Sequence, residues 1–218
     1  KDPKSVAFKN GTVRVAGLAE FITANDAVTV EAFVKLDRMS SAIYLCAWSA
    51  DLDGEASEVH KVFTPAVNIS ATRLSCEKGA HKGKYIAGPA MCSRMDEAWH
   101  HVAVVYDKVN SKATLYVDYE ASTNLLESSN SLELNIKPPT EGKELQFFIG
   151  SGIADSNLKN NFSGLISSFR VSKSALNINE FMRASYNVED DTLALFKLSG
   201  NFRVLAGNFT RFFPRDIM

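Results

Sequence analysis

The stretch that decides the fold is Trp99–Asp107, WHHVAVVYD, together with Ala113–Asp118, ATLYVD, which follows it closely. Apolar residues recur at alternate positions of both segments, namely Val102, Val104, Tyr106, Leu115 and Val117. This period of two predicts two β-strands with one apolar face each, and Lys108, Asn110, Ser111 and Lys112 predict the turn between them. A hairpin with so apolar a face is not stable alone in water, so we expect a second sheet to cover it.

The same alternation runs through much of the chain. Residues 27–37 give the clearest strand, one face of which consists of Val28, Val30, Ala32, Val34 and Leu36. That face is expected to lie in the core and the other face to be at least partly in water. Further β-rich segments are predicted within residues 5–16, 42–48, 59–76, 85–87, 132–136, 145–150, 162–172 and 193–198.

Two local signals interrupt this β pattern. Asn10-Gly11 predicts a tight turn inside the first β-rich segment. Ser174 predicts the start of one short helix near residues 175–184, with Leu176, Phe181 and Met182 on its buried side. Many short strands, one short helix and no strand–helix–strand repeat together predict an all-β fold, a two-sheet antiparallel β-sandwich.

The composition fits one globular domain, which we take to span residues 1–218. The hydrophobic content is 45%, the charged content is 22%, and 218 residues suffice for one large core. A net charge of −1 implies no broad attraction to nucleic acid, and no apolar run is long enough to cross a bilayer. Cys46 lies in an apolar run and is expected to be buried, whereas Cys76 and Cys92 either form a disulfide or stay free.

Several of these segments together resemble the laminin-G-like or concanavalin A-like jelly-roll family. The segments that carry the resemblance are Val28–Lys35, Trp99–Asp107, Leu115–Asp118, Phe148–Gly150, Phe162–Val171, Ala175-Leu176 and Glu180-Phe181. The resemblance implies two curved antiparallel sheets and an extracytoplasmic setting, often as one module of a surface or polysaccharide-handling protein. Tyr119 stands where the family often has glycine, so that turn is expected to differ.

The acidic segment Asp51-Leu52-Asp53-Gly54-Glu55 is the strongest candidate for binding chemistry. Its alternating carboxylates could bind calcium, which is the one cofactor that the sequence raises. The EF-hand pattern is not met, because the third ligand before the glycine and the glutamate that ends the loop are both missing. Nothing marks a pair of carboxyl groups suited to acid and nucleophile roles in glycoside cleavage. A solvated loop is the alternative.

Aromatic residues near this loop could stack on the apolar face of a sugar ring. Trp48 precedes the acidic segment, and Tyr85 lies in another part of the chain. Adjacent carboxylates at Asp51 and Asp53 would then bond sugar hydroxyls. The alternative for Trp48 is a place in the core or at its rim.

The four histidines offer little support for an enzyme. His100 and His101 could supply a general base, but they lie in core-like strand sequence and read as framework residues. His60 and His81 have no nucleophile or metal-ligand spacing nearby.

These observations predict a non-catalytic extracytoplasmic recognition module that binds carbohydrate. The partner would be a glycan or a surface protein, and neither nucleic acid nor a membrane span is expected. A protein-interaction or adhesion module is the first alternative, and a glycan hydrolase or lyase is the second.

Overall fold

The described part of the chain is a set of antiparallel strands with one short helix. The computed structural model describes residues 5–15, 17–36, 43–49, 63–67, 72–76, 85–87, 98–107, 109–110, 112–121, 146–150, 162–183, 192–199, 201–206 and 212–217. The first half contains β1 (Val6–Val15), α1 (Leu18–Ala24), β2 (Ala27–Leu36), β3 (Ile43–Tyr44), β4 (Cys46–Ser49), β5 (Phe63–Val67), β6 (Thr72–Cys76) and β7 (Tyr85–Ala87). The second half contains β8 (His100–Asp107), β9 (Lys112–Val117), β10 (Glu120–Ala121), β11 (Gln146–Ile149), β12 (Ser163–Ser172), β13 (Thr192–Ser199), β14 (Asn201–Ala206) and β15 (Phe212–Ile217).

These strands form the two antiparallel sheets that the alternation predicts. The first sheet runs in the order β10-β9-β8-β2-β12 and continues from β12 into β13 and β14. The second sheet runs in the order β11-β4-β5-β6-β7, with β3 paired to β5. Strand β1 joins the sheets, because Val6–Lys9 pair with β12 and Val13–Val15 pair with β11, while β15 lies along its other edge.

The prediction of a tight turn at Asn10-Gly11 is wrong. Both residues lie inside β1, and the pairing of β1 with β15 is irregular between Phe8 and Thr12. Such an irregularity lets a strand bend and pass from one sheet to another without ending. The Asn-Gly pair therefore coincides with a bend between two sheets, and no hairpin forms there.

The core lies between the inner faces of the two sheets. The predicted inner residues of β2 and β8 are all buried, and Cys46 is buried as expected. Phe147 of the second sheet and Phe169 of the first meet edge to face, with ring centroids 6.0 Å apart. The backbones of β12 and β2 lie close together at Gly164, where an added Cβ would collide with the Lys35 carbonyl oxygen.

The outer face of the first sheet is also covered. Phe33 and Lys35 are half-buried, in keeping with a face that is partly in water, but Thr29 and Glu31 are fully buried. Lys173–Arg183, which we call the outer segment, supplies the cover. Its residues Leu176 and Phe181 form a second apolar cluster with Ala103.

The helix predicted near residues 175–184 is not present in the described residues, which end there at 183. The outer segment contains a turn at 178–180, and the helix found among the described residues is α1 instead. The buried residues are as predicted, since Leu176, Phe181 and Met182 are 5%, 2% and 0% exposed. The backbone differs because its polar groups bond to side chains of other strands and to local Asn and Glu side chains, which compete with a helical ladder.

The β9–β10 turn keeps a glycine-like backbone at Tyr119. Asp118 and Tyr119 have φ values of 49° and 69°, so both occupy the left-handed region. Two successive positive φ values are typical of the two-residue turns that join hairpin strands. Tyr119 thus adopts a backbone conformation that glycine favours, and contacts described below offset its steric cost.

Candidate functional site

Two of the four predicted binding residues lie in described strands. Trp48 is on β4, in register with Phe147 of β11 and Phe63 of β5. Phe147 belongs to the core, and so does Cys46, two residues before Trp48. Trp48 thus belongs to the same register series of β4 as Cys46.

Tyr85 is at the far end of the second sheet. It begins β7, the last strand in the order, and is in register with Ser75 of β6. Ser75 is adjacent to Cys76. Cys76 is in register with Phe63, which is in register with Trp48, so Cys76 and Trp48 belong to the same series of alternate residues. Because successive residues of a strand alternate between faces, the register places Tyr85 and Trp48 in opposite series. Asp51 and Asp53 lie outside the described residues.

A buried ionic network that the sequence did not reveal lies under the outer segment. At its centre is the Glu31 carboxylate, which is fully buried. Arg170, also fully buried, donates through Nε to Glu31 Oε1 at 2.6 Å, and its Nη2 forms an ion pair with the same oxygen at 2.5 Å. The second oxygen, Oε2, accepts the Met182 backbone N–H at 2.9 Å and lies 2.8 Å from His101 Nε2. Every carboxylate oxygen therefore has two partners.

Both adjacent histidines bond to carboxylates. His101 Nε2 donates to Glu31, and its Nδ1 is buried with no hydrogen-bond partner among the described residues. His100 Nδ1 lies 2.8 Å from Asp118 Oδ2, while Asp118 Oδ1 accepts the His101 backbone N–H at 3.0 Å. The structure thus agrees with the framework interpretation of both histidines, because each carboxylate holds an imidazole in place.

Tyr119 closes the network on its outer side. Its ring stacks on His101 with centroids 4.6 Å apart and an interplanar angle of 8°, and the Arg183 guanidinium carbon lies 4.0 Å from its centroid. The hydroxyl donates to the Met182 carbonyl oxygen at 2.8 Å. Burial raises the pKa of Tyr119, the charge of Arg183 lowers it, and the charges of Glu31 and Asp118 raise it further. The net effect favours the neutral phenol, which is the form that donates.

This network binds the outer segment to the sheet. Arg170 Nη2 donates to the Glu180 carbonyl oxygen at 2.7 Å, and Thr29 Oγ1 donates to the Ser174 carbonyl oxygen at 2.7 Å. Thr29 Oγ1 also accepts the Leu176 N–H at 3.0 Å. The polar groups are thus engaged in structural bonds. Within the described ranges, no group of three or more His, Cys, Asp or Glu side chains could hold a metal ion.

Residues 9–180 match a family profile described as the concanavalin A-like lectin/glucanases superfamily. The chain belongs to this superfamily. The match agrees with the resemblance derived from the strand segments and with the two antiparallel sheets. No curated protein matches the chain in sequence.

Solved structures with the same fold come from several kinds of protein. A Bacteroides ovatus protein to which carbohydrate binding is ascribed is 17% identical, with a TM-score of 0.68, over 100% of this chain and 59% of its own. The CBM40 of the Ruminococcus gnavus IT-sialidase, bound to α2,3-sialyllactose, is 16% identical, with a TM-score of 0.60, over 81% of this chain and 94% of its own. Domains LG4-5 of the mouse laminin α1 chain are 14% identical, with a TM-score of 0.51, over 85% of this chain and 47% of their own. At these identities the likeness concerns the fold alone.

Among the described residues, no helix is both long enough and apolar enough to span a membrane. The chain spans 59% of the length of the Bacteroides ovatus protein.

Proposed function

We propose that the chain is a non-catalytic extracytoplasmic recognition module that binds carbohydrate, as part of a surface or polysaccharide-handling system. The observation that carries this proposal is membership of the lectin and glucanase superfamily over residues 9–180. The sialidase CBM40 and the Bacteroides ovatus protein support it, because both combine this fold with an ascribed carbohydrate ligand.

Two of the described carboxylates are held by framework contacts. A retaining glycosidase needs two carboxyl groups about 5–5.5 Å apart, one of them protonated at the start of the reaction. Glu31 is fully buried and bonded to Arg170 and His101, and Asp118 holds His100. These two acids are therefore committed to the framework. Asp51 and Asp53 stay candidates for contacts with sugar hydroxyls or with calcium.

A glycan array probed with and without a calcium chelator tests this proposal. The array should include plant, host and microbial glycans, with sialyllactose among them. We expect binding to a restricted set, weakened by Tyr85→Ala and less so by Tyr85→Phe, which keeps the ring. The Asp51→Asn/Asp53→Asn double variant tests the acidic loop. Absence of binding to every glycan would contradict the proposal.

A protein-interaction module is the second candidate. The laminin α1 domains and the extracellular region of zebrafish Gpr126 share the fold. This alternative predicts capture of a protein partner that free sugars do not displace. A lectin-like module would instead release its partner when free sugars are added.

A further inference from the structure

One ring nitrogen of the buried ionic network has no hydrogen-bond partner. His101 is 1% exposed, and its Nε2 lies 2.8 Å from Glu31 Oε2. Its Nδ1 is buried as well and has no partner among the described residues. Because a carboxylate only accepts, the proton of a neutral His101 is on Nε2 and the lone pair of Nδ1 is left unpaired. Nδ1 is therefore the atom at which His101 would take up a second proton.

The charge of Glu31 is already compensated before His101 gains a proton. Arg170 donates through Nε to Oε1 at 2.6 Å, and both side chains are fully buried. Oε2 accepts the Met182 backbone N–H at 2.9 Å in addition to the bond from His101. A protonated His101 would place a second positive charge beside one buried carboxylate, and its new N–H would be unpaired. Both effects are costly in a buried site.

The rings around His101 provide no hydrogen-bond acceptor for that proton. Phe33 and Phe181 have centroids 5.2 Å and 5.4 Å from the centroid of His101, and neither side chain carries a polar atom. Tyr119 stacks on the imidazole at 4.6 Å, and its hydroxyl donates to the outer segment. The Arg183 guanidinium carbon already lies 4.0 Å from the Tyr119 ring centroid, so a protonated His101 would share this ring with another cation.

The other acids near His101 bond to other groups. Asp118 Oδ2 lies 2.8 Å from His100 Nδ1, and Asp118 Oδ1 accepts the His101 backbone N–H at 3.0 Å. The Glu180 carboxylate accepts the Asn177 N–H at 2.7 Å. The titratable or charged side chains that the described elements bring around His101 are Glu31 and Lys35 of β2, His100 of β8, Tyr116 of β9, Asp118 and Tyr119 of the β9–β10 turn, Glu120 of β10, Arg170 of β12, and Lys173, Glu180 and Arg183 of the outer segment.

The groups around His101 are also the groups that hold the outer segment closed. Glu31 accepts the Met182 N–H, the Tyr119 hydroxyl donates to the Met182 carbonyl oxygen, and the Phe181 ring packs on His101. When the segment opens, the His101 ring reaches water, which accepts the Nδ1 proton and hydrates the added charge. The open form can therefore bind one proton more than the closed form.

We propose that His101 makes the outer segment an acid-sensitive strap, which is closed while the imidazole is neutral and opens as Nδ1 takes up a proton. An imidazole in water has a pKa of about 6.5, so the open form gains its proton below about that pH. By proton linkage, the equilibrium constant for opening is lowest above about pH 7 and rises up to tenfold for each pH unit below about 6. Opening exposes the apolar cluster that contains Ala103, Leu176 and Phe181.

Hydrogen exchange between pH 7.5 and 5.0 measures this opening, once each rate is divided by the intrinsic exchange rate at the same pH. The reporting amides are Leu176 and Met182, which bond to Thr29 and Glu31 of β2. We expect their protection to fall by at least about tenfold over this range, while the amides of β8 and β9 keep theirs. Unchanged protection of Leu176 and Met182, or an equal fall in both sheets, overturns the proposal.

His101→Gln removes the titration but keeps a side-chain amide that can donate to Glu31. In this variant the protection of Leu176 and Met182 should no longer depend on pH. His100→Gln is the matched control, because His100 is the adjacent buried histidine and is bonded to Asp118. It should keep the pH response. A response that persists in His101→Gln, or that His100→Gln abolishes, overturns the proposal.

Nuclear magnetic resonance of the imidazole nitrogens in the wild-type chain gives a test that needs no folded variant. At pH 7.5 the His101 ring should show the neutral tautomer with the proton on Nε2. On acidification, the imidazolium signal of His101 should rise together with the loss of protection at Leu176 and Met182. An imidazolium signal with full protection, or loss of protection while His101 stays neutral, overturns the assignment of the strap to His101.

Discussion

At the residue scale, Glu31 is the group on which the outer face of the first sheet depends. Its buried charge is compensated by Arg170 at 2.6 Å and by donors from His101 and Met182. Alternation alone predicts that the face of β2 with Glu31 is partly in water. A period of two separates the two faces of a strand but does not reveal what covers the outer face. The signal in the sequence is an acid between Val30 and Ala32 of β2, matched by an arginine between Phe169 and Val171 of β12.

The substitution Glu31→Gln should be strongly destabilising. It leaves the Arg170 guanidinium buried without a counter-charge, and breaking a buried pair in this way costs about 3–5 kcal/mol. Urea unfolding followed by fluorescence measures the change in the free energy of unfolding. Glu120→Gln, at an exposed position, is the control and should change stability by less than about 0.5 kcal/mol. A cost for Glu31→Gln below about 1 kcal/mol would show that the ion pair is dispensable.

Tyr119 should make stability depend on pH in the alkaline range. Burial raises its pKa in the folded state above the unfolded value of about 10, so the folded state binds more protons between the two values. Its contribution is therefore complete below about pH 10 and is lost as pH rises through the folded pKa. Tyr119→Phe removes both the titration and the bond to Met182, so we expect a loss of about 0.5–1.5 kcal/mol at pH 8.

This loss should shrink as pH rises towards 11.5, because the wild-type tyrosine ionises and the phenylalanine does not. Urea unfolding of both proteins at intervals of half a pH unit separates Tyr119 from the other tyrosines, which are common to the pair. A difference in free energy that stays constant across the range would contradict the role assigned to the Tyr119 hydroxyl.

At the scale of elements, the outer segment shows that neighbouring residues alone do not determine the backbone conformation of a segment. Ser174 and the spacing of Leu176, Phe181 and Met182 fit a helix, and the same apolar residues are indeed buried. The backbone N–H groups of Leu176 and Met182 bond to Thr29 and Glu31, which are distant in sequence. The Glu180 carbonyl oxygen accepts from Arg170 of β12, the Glu180 carboxylate accepts the Asn177 N–H, and the Asn177 carbonyl oxygen accepts the Glu180 N–H. A window of ten residues contains none of the distant partners. In contrast, β2, β8 and β12 were predictable because their alternation is strictly local.

Thr29→Val should loosen the outer segment selectively. Valine keeps the shape of threonine but removes the bonds to the Ser174 carbonyl and the Leu176 N–H, and an unsatisfied buried group costs about 1–3 kcal/mol. Hydrogen exchange should therefore accelerate at residues 174–183 while β8 and β9 stay protected. Thr114→Val, at a half-buried position on β9, is the matched control. Uniform acceleration through both sheets would mean that the outer segment does not open by itself.

At the scale of the whole molecule, one outer face of the sandwich is covered by the chain itself. The outer segment occupies the outer face of the first sheet and is held there by buried charges. Sequence alternation predicts both sheets, but the aromatic candidates Trp48 and Tyr85 come from separate parts of the chain. Trp48 and Tyr85 fall in opposite series because strand register, which the sequence does not display, decides which residues share a face.

The way in which β1 and β12 are shared predicts a single unfolding transition for residues 1–218. β1 pairs with strands of both sheets, and β12 pairs with β1, β2 and β13, so neither sheet keeps its strands if the other unfolds. Calorimetry should give equal calorimetric and van't Hoff enthalpies, of about 150 kcal/mol near 60 °C. Glu31→Gln should move the whole transition to lower temperature without splitting it. Two separated transitions, with only one shifted by Glu31→Gln, would mean that the sheets belong to independent folding units and that β1 does not couple them.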